Sequence, residues 1–416
     1  MPADGFCTDV FFTHAKNFVK QQAENKKPFF AWISTNAPHG PLHCPEKWSA
    51  PYKDQGKNAA NFLGMIANID SNVGQLRKLI DELGVSDNTI FIFTTDNGTA
   101  GGFKIFNSNM RGRKGSPYDG GHRVPCFVHW PGNFSGGVDV DPLTAHIDLL
   151  PTLVELCGAK LPADVKLDGQ SNVPLLRDPE NSDPKWNQRV IVTDSQRVID
   201  PIKWRQSSVM TSQWRLVNGK ELYDIDADPG QKTDLAADKP EVMEKLTGAY
   251  DAWWADIEPG FAQFARIHIG SPNENPAVLT AHDWLGVWPP WNQADIRKAK
   301  PVEPGYWSVK VLEAGSYNVS LRRWPIESGY AIDQEIEAGA LVPGNRPYRN
   351  NPGVQIIPVK AHLKIGSETQ TVDFKAQSKE VSFNVELAAG ENTISAFFEN
   401  AEGTRVGSFY VYVTKK

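Results

Sequence analysis

The sequence predicts an α/β domain followed by a β-sandwich. Over the first 257 residues, apolar positions alternate between helical spacing and short β-branched runs. From residue 305 the period falls to two, with glycine-rich turns between short strands. One strand candidate in the first part, Thr89-Ile90-Phe91-Ile92-Phe93, runs almost directly into Asp96-Asn97-Gly98. Ligands of open α/β sheets bind just beyond the carboxyl ends of strands. That position makes the Asp-Asn pair a candidate for binding.

Taken in order, Thr8 to Gln22 has Val10, Phe11, Ala15, Phe18 and Val19 at helical spacing and leads into a strand at Pro28 to Ser34. Asn61 to Leu83 is an amphipathic helix with Phe62, Met65, Ile66, Ile69, Val73, Leu76, Leu79 and Ile80 on one face, closed by Gly84. The Thr89 strand follows, then a strand at Cys126 to Trp130. A helix covers Thr144 to Cys157, interrupted at Pro151 and ended by Gly158. Short antiparallel strands are expected at Val190 to Thr193, Ser208 to Thr211 and Trp214 to Val217, covered by a helix from Glu241 to Ile257. Residues 258–304 turn rich in Trp, Pro and Asn and read as a linker packed on the first domain. The cluster Trp284 to Trp291 is assigned to interdomain packing rather than to a sugar platform. In 305–416, Trp307, Val309 and Val311 alternate with polar neighbours, and later strands repeat the pattern.

The 416 residues carry 40% hydrophobic and 22% charged residues, the balance of an ordinary globular protein. A net charge of -6 provides no electrostatic case for nucleic acid or membrane partners. No apolar run approaches the roughly 18 residues of a membrane span. Met1 to Gly5 has neither the charged region nor the apolar core of a signal peptide. The four cysteines, Cys7, Cys44, Cys126 and Cys157, are far apart, and Cys126 and Cys157 are expected to be buried thiols.

Several segments together resemble the second half of a formylglycine-dependent sulfatase, within the alkaline-phosphatase-like superfamily. They are Pro28 to Pro41 with its Pro38-His39-Gly40-Pro41 loop, Asp96-Asn97-Gly98, and Arg113-Lys114-Gly115-Ser116-Pro117-Tyr118-Asp119-Gly120-Gly121-His122-Arg123-Val124-Pro125. Ala145 to Leu153 and Glu221 to Gly230 follow in the same order, so the likeness covers roughly residues 6 to 250. It implies a sulfatase-type sheet with helices on both faces over 1–257, including a small antiparallel subdomain. The family's nucleophile is a formylglycine made from Cys or Ser within Cys/Ser-x-Pro-x-Arg, and these 416 residues contain no such motif. The resemblance therefore implies an N-terminally truncated form, without the formylglycine loop and two further metal-binding aspartates. Intact relatives are often periplasmic or secreted.

Cleaving a sulfate or phosphate ester needs positive charge on the transferring group and a proton for the leaving oxygen. His39, on its stiff loop, is the candidate to protonate a leaving group, and Lys114 the candidate to hold a sulfuryl or phosphoryl oxygen. His43, Arg113 and His122 are candidate substrate-binding residues, while Asp119 and Arg123 hold the loop. Asp96 and Asn97 are candidate metal ligands. Calcium takes six to eight oxygens, so the calcium that the resemblance implies has a weakened site here.

Two classes of function compete. One is a hydrolase on a reduced site, with weak activity on activated phosphate tri- or diesters and residual sulfate ester hydrolysis. The other is a silent remnant, or a glycan-binding β-sandwich. The expected partner is a small-molecule ester. The apolar surface left by missing strands predicts a homodimer or higher homo-oligomer.

Overall fold

The computed structural model describes residues 5–180, 183–198, 200–290, 292–299, 303–339 and 351–416. Their contacts divide the chain into a unit up to Pro259 and a unit from Gly260. In the first, α1 (Cys7–Glu24), the short α2 (Glu46–Ser49) and α3 (Lys57–Glu82) precede β1 (Phe91–Thr94). The predicted apolar faces meet: Phe12 and Val19 of α1 pack with Leu76 and Ile80 of α3, and Phe29, Ile33 and Phe91 close over them. The polar groups inside this pair satisfy each other, because Asp9 Oδ1 accepts from Asn68 at 2.7 Å and from Asn72 at 2.8 Å.

Pro28 to Ser34 departs from expectation. It is not a strand. Phe29 and Ile33 turn to the helix pair, leaving Phe30 71% and Trp32 78% exposed. Alternation alone does not make a strand without a hydrogen-bonded neighbour. β1 pairs instead with β2 (Cys126–His129), antiparallel, with Phe93 opposite Phe127. Phe127 is itself 66% exposed. Cys126 and Cys157, expected to be buried, are both exposed. Cys126 opens a strand with no further neighbour beyond β1 among the described residues, and Cys157 caps the C-terminus of a helix.

Between β1 and β2 lies the one-turn α4 (Asp119–His122), and after β2 comes α5 (Leu149–Leu156). Pro151 does not interrupt this helix but sits in its first turn, where its missing N–H would have had no intrahelical acceptor. Gly158, at φ +62°, ends it. α6 (Val173–Arg177) and α7 (Pro184–Gln188) lead to a four-stranded antiparallel sheet. Its strands run in chain order as β3 (Ile191–Asp194), β4 (Ser207–Met210), β5 (Trp214–Val217) and β6 (Glu221–Asp224). The fourth strand was not expected from the sequence. α8 (Pro240–Ile257) covers this sheet and buries Leu246, Tyr250 and Trp254.

The second unit is a sandwich of two sheets, and it begins earlier than residue 305. Residues 258–304, read as a linker, supply β7 (Ile267–Ile269), β8 (Ala277–Thr280) and the short α9 (Gln293–Lys298). β9 (Trp307–Val311), β10 (Gly315–Arg322), β11 (Lys360–Ile365) and β12 (Glu368–Asp373) follow. β13 (Val381–Leu387), β14 (Gly390–Glu399), β15 (Arg405–Gly407) and β16 (Tyr410–Lys415) complete the set. One sheet has the order β13-β10-β16-β8; the other is β12-β11-β14-β9-β7, with β15 on β14. β8 was hidden because it pairs with β16, more than a hundred residues away. Trp284 is buried in this unit against Trp307 and Phe409, so it serves the sandwich core. Trp288 is exposed, and Trp291 lies outside the described residues. Among the described residues, no helix is long and apolar enough to cross a membrane.

Candidate active site

The site is built on the loop that leaves β1. Asp96 is exposed and Asn97 half-buried, and the turn at Gly98 is clamped from two sides. Gly98 N donates to Gly121 O at 3.0 Å, and a Cβ on Gly98 would stand 1.9 Å from Gly120 O. Only glycine admits that approach. On the other side His146 Nε2 lies 2.8 Å from Thr95 O. A carbonyl only accepts, so the imidazole donates there. His146 had not been singled out, although it stands in the quoted Ala145-to-Leu153 segment. Its turn is held by the buried Asp148, whose oxygens accept from both terminal nitrogens of Arg189 at 2.7 and 2.5 Å.

Lys114 is presented at the tip of a tight turn. Ser116 N donates to Arg113 O at 2.9 Å, and Gly115 takes the left-handed conformation at φ +83°, as the third residue of a type II turn does. Lys114 N donates to Thr99 O at 3.3 Å, which ties this turn to the base of the Asp96-Asn97 loop. The ammonium has no carboxylate partner among the described residues. Arg113 beside it is exposed and stacks 4.9 Å from the Phe103 ring centroid, again with no ion pair among the described residues.

His39 is exposed, with Nδ1 2.7 Å from Gly40 O. Nδ1 must therefore carry the proton, and Nε2 is the nitrogen left to exchange one. His43 is half-buried on the same loop, its N–H donating to Pro41 O at 2.8 Å. The start of α3 sets this loop relative to the Asp96 loop. Asn61 donates to Leu42 O at 3.0 Å, while the neighbouring Phe62 ring lies against Gly101 and Gly102. Both loops therefore meet one end of α3.

His122 is turned inward: its Nε2 lies 3.4 Å from Asp119 Oδ1. Asp119 is buried and accepts from Arg215 Nε at 2.8 Å, while its own N–H donates to Gln231 Oε1 at 2.9 Å. Burial alone would raise the Asp119 pKa. The contact with His122 and the charge of Arg215 outweigh burial and hold it at about 2. Arg123 lies 3.7 Å from the same carboxylate. Asp119, His122 and Arg123 thus brace the loop. A second brace is Arg111, 3.9 Å from the Tyr118 ring centroid and donating to Tyr223 of β6 at 2.7 Å.

For a metal, Asp96 and Asn97 offer two hard oxygens. Among the described residues no group of three His, Cys, Asp or Glu side chains could hold an ion. These residues do not by themselves fit a six- to eight-oxygen calcium shell.

Comparison with known proteins finds similarity to sulfatases. A model of the sulfatase family matches residues 4–159, and a model of the N-sulphoglucosamine sulphohydrolase C-terminal region matches residues 113–249. The chain is 30% identical over 190 residues to the uncharacterized sulfatase YdeN of Escherichia coli, covering 45% of this chain and 34% of that protein. It is 29% identical over 261 residues to an N-acetylgalactosamine-6-O-sulfatase of Bacteroides thetaiotaomicron, covering 58% and 49%. The chain thus spans about a third to a half of these relatives. A crystal structure of Ps i-CgsB in complex with k-i-k-neocarrahexaose superposes with a TM-score of 0.55 at 28% identity, covering 61% of this chain and 56% of that one.

Proposed function

We propose, from the match of residues 4–159 to the sulfatase family and of residues 113–249 to the N-sulphoglucosamine sulphohydrolase C-terminal region, that this chain hydrolyses sulfate or phosphate esters. On its own residues it favours activated phosphate tri- and diesters over aryl sulfates. The observation that carries this reading is Lys114, a cation without a counter-charge among the described residues, tied through Thr99 to the Asp96-Asn97 loop. One compact cation matches the single developing negative charge of a triester transition state better than the charge of a sulfate monoester or phosphate dianion. Water attacks phosphorus and passes its proton to solvent, the phosphoryl oxygen gains charge against Lys114, and the bond to the alcohol oxygen breaks as that oxygen takes a proton from Nε2 of the His39 imidazolium, which solvent then reprotonates. The 416 residues contain no Cys/Ser-x-Pro-x-Arg sequence, so water is the proposed nucleophile. Calcium at Asp96 and Asn97, where it binds, is held weakly with waters completing its shell, and no step runs through it.

Leaving-group dependence tests the reading. His39→Ala should slow esters of poorly acidic phenols by about 100-fold or more, the usual scale of general acid catalysis, and para-nitrophenyl esters much less. Equal slowing across the series, or none, contradicts the role of His39.

The proposal extends to assembly. The β1–β2 ribbon has no further strand on either edge among the described residues, and a lone two-stranded ribbon is marginal. Phe30, Trp32 and Phe127 are each about two-thirds exposed or more. At about 200 Å² per aromatic side chain they leave on the order of 450 Å² of ring surface in water. A standard interface takes about 800 Å² from each partner. A second copy, paired by two-fold symmetry, supplies a matching apolar face. Light scattering at micromolar concentration is expected to report a dimer; a monomer contradicts this.

A further inference from the structure

Between Thr99 and Lys114 the chain makes an excursion that encloses an open groove of about 660 Å³. Phe103, Ile105, Phe106, Asn109, Met110 and Arg113 line it. Phe106 is 77% exposed, which is costly for an aromatic ring with nothing on its face. Asn107, also in the wall, is committed to the loop itself, donating to Met110 O at 2.9 Å and Gly112 O at 3.0 Å. Asn109 is not committed: its side chain makes no hydrogen bond among the described residues, and its backbone is left-handed at φ 58°.

Charge is the second observation. Residues 97–118 hold Lys104, Arg111, Arg113 and Lys114 and no Asp or Glu, in a chain whose net charge is -6. Arg111 is consumed by Tyr118, Tyr223 and Glu221. Lys104 and Arg113 both lie over the Phe103 ring, at 5.9 and 4.9 Å from its centroid, and neither has a carboxylate partner among the described residues. The groove therefore joins aromatic faces to the uncompensated Arg113 and a spare amide, with Lys104 over the Phe103 ring beside it. Its walls suit a ring, and its charge suits an anion other than the group that meets Lys114.

We infer that this groove binds the non-reacting part of the ester, and that this part is a ring carrying a second negative charge, a carboxylate or a sulfate-like group. The inference rests on the reading that the reacting group meets Lys114. Arg113 pairs with the second anion and sets specificity, Phe106 stacks on the ring, and Asn109 hydrogen-bonds its substituents.

Binding measured without turnover separates the two ideas. Wild type and Lys114→Ala protein are titrated calorimetrically with benzoate, benzenesulfonate and glucuronate, and with neutral benzyl alcohol and glucose. The anions are expected to bind at least about tenfold more tightly than the neutral partners in both proteins, the scale of one charge-assisted hydrogen bond. Arg113→Gln should erase that preference, and Phe106→Ala should weaken every ring. Both side chains are exposed, so their variants should melt with wild type. Benzenesulfonate against benzoate names the anion, and glucuronate against benzoate names the ring. Equal binding of anions and neutrals, no binding of any probe, an anion preference that survives Arg113→Gln, or one that disappears in Lys114→Ala overturns the inference. An anion preference in a protein that hydrolyses no ester leaves the groove standing and removes the catalytic reading. Hydrolysis without the preference does the reverse.

Discussion

Exchange of Lys114 for alanine is expected to lower kcat/KM for phosphate esters by a factor of about 100 to 1,000, the scale of removing one preorganised charge from a transition state. The physical reason lies in the turn that carries it. Gly115 and the bond from Ser116 N to Arg113 O fix the backbone, and Thr99 O fixes the turn against the Asp96-Asn97 loop. The backbone that carries the ammonium therefore need not be ordered when charge develops. Lys114→Arg keeps the charge but moves it outward on a planar fork, so it should recover only part of the rate. Steady-state kinetics on one para-nitrophenyl phosphate triester checks both variants. Unchanged rates in Lys114→Ala would remove the lysine from the reaction.

Replacing Arg215 by methionine is expected to destabilise the first unit by about 3–5 kcal/mol, because it leaves the Asp119 carboxylate buried without its main partner. Asp119 is 1% exposed and Arg215 nearly as buried. Removing both charges together, as Asp119→Leu with Arg215→Met, should cost less than the single change. Urea unfolding followed by tryptophan fluorescence reads both. The same pair sets an acid limb. The Asp119 pKa falls from 3.8 to about 2 on folding, so its contribution is complete above the unfolded value. It is lost as pH falls from about 4 through about 2, and amounts to about 2 kcal/mol. Stability of the first unit should drop in that window in the wild type and change less in the double variant. A larger loss in the double variant than in Arg215→Met would refute this view of the pair.

Much of the fold was legible because local pattern and tertiary environment agree. The faces of α1 and α3 could be read from spacing alone, since each buries one stripe against the other. The sandwich strands from Trp307 onward were equally clear, as alternation there coincides with one buried face. The failures have physical causes. Pro28 to Ser34 has strand-like alternation, but pairing depends on a neighbour that local sequence does not specify. β7 and β8 sit in Trp- and Pro-rich sequence and are strands because distant β9 and β16 pair with them. β6 is a strand through β5, while its Tyr223 and Glu221 serve Arg111.

The candidate site divides the same way. The Asp96-Asn97-Gly98 turn and the Lys114 turn were visible from glycine spacing, because close backbone approach leaves glycine as its mark. His122 looked open in sequence and is turned to Asp119, since nothing local announces Arg215, ninety-six residues away in the chain. His146 was passed over because its role is a bond to a backbone carbonyl, which has no sequence signature. The positive stretch from Lys104 to Lys114 is plain in the sequence but was not singled out there. Its meaning depends on which cations already have partners, and only the fold decides that.

Turnover of the purified 416-residue chain on para-nitrophenyl sulfate and on a para-nitrophenyl phosphate triester, measured side by side with and without EDTA, decides whether Lys114 and His39 serve the triester first. The triester is expected to be hydrolysed faster, and chelation to change neither rate. Faster turnover of the sulfate, or no hydrolysis of either ester, would contradict this expectation.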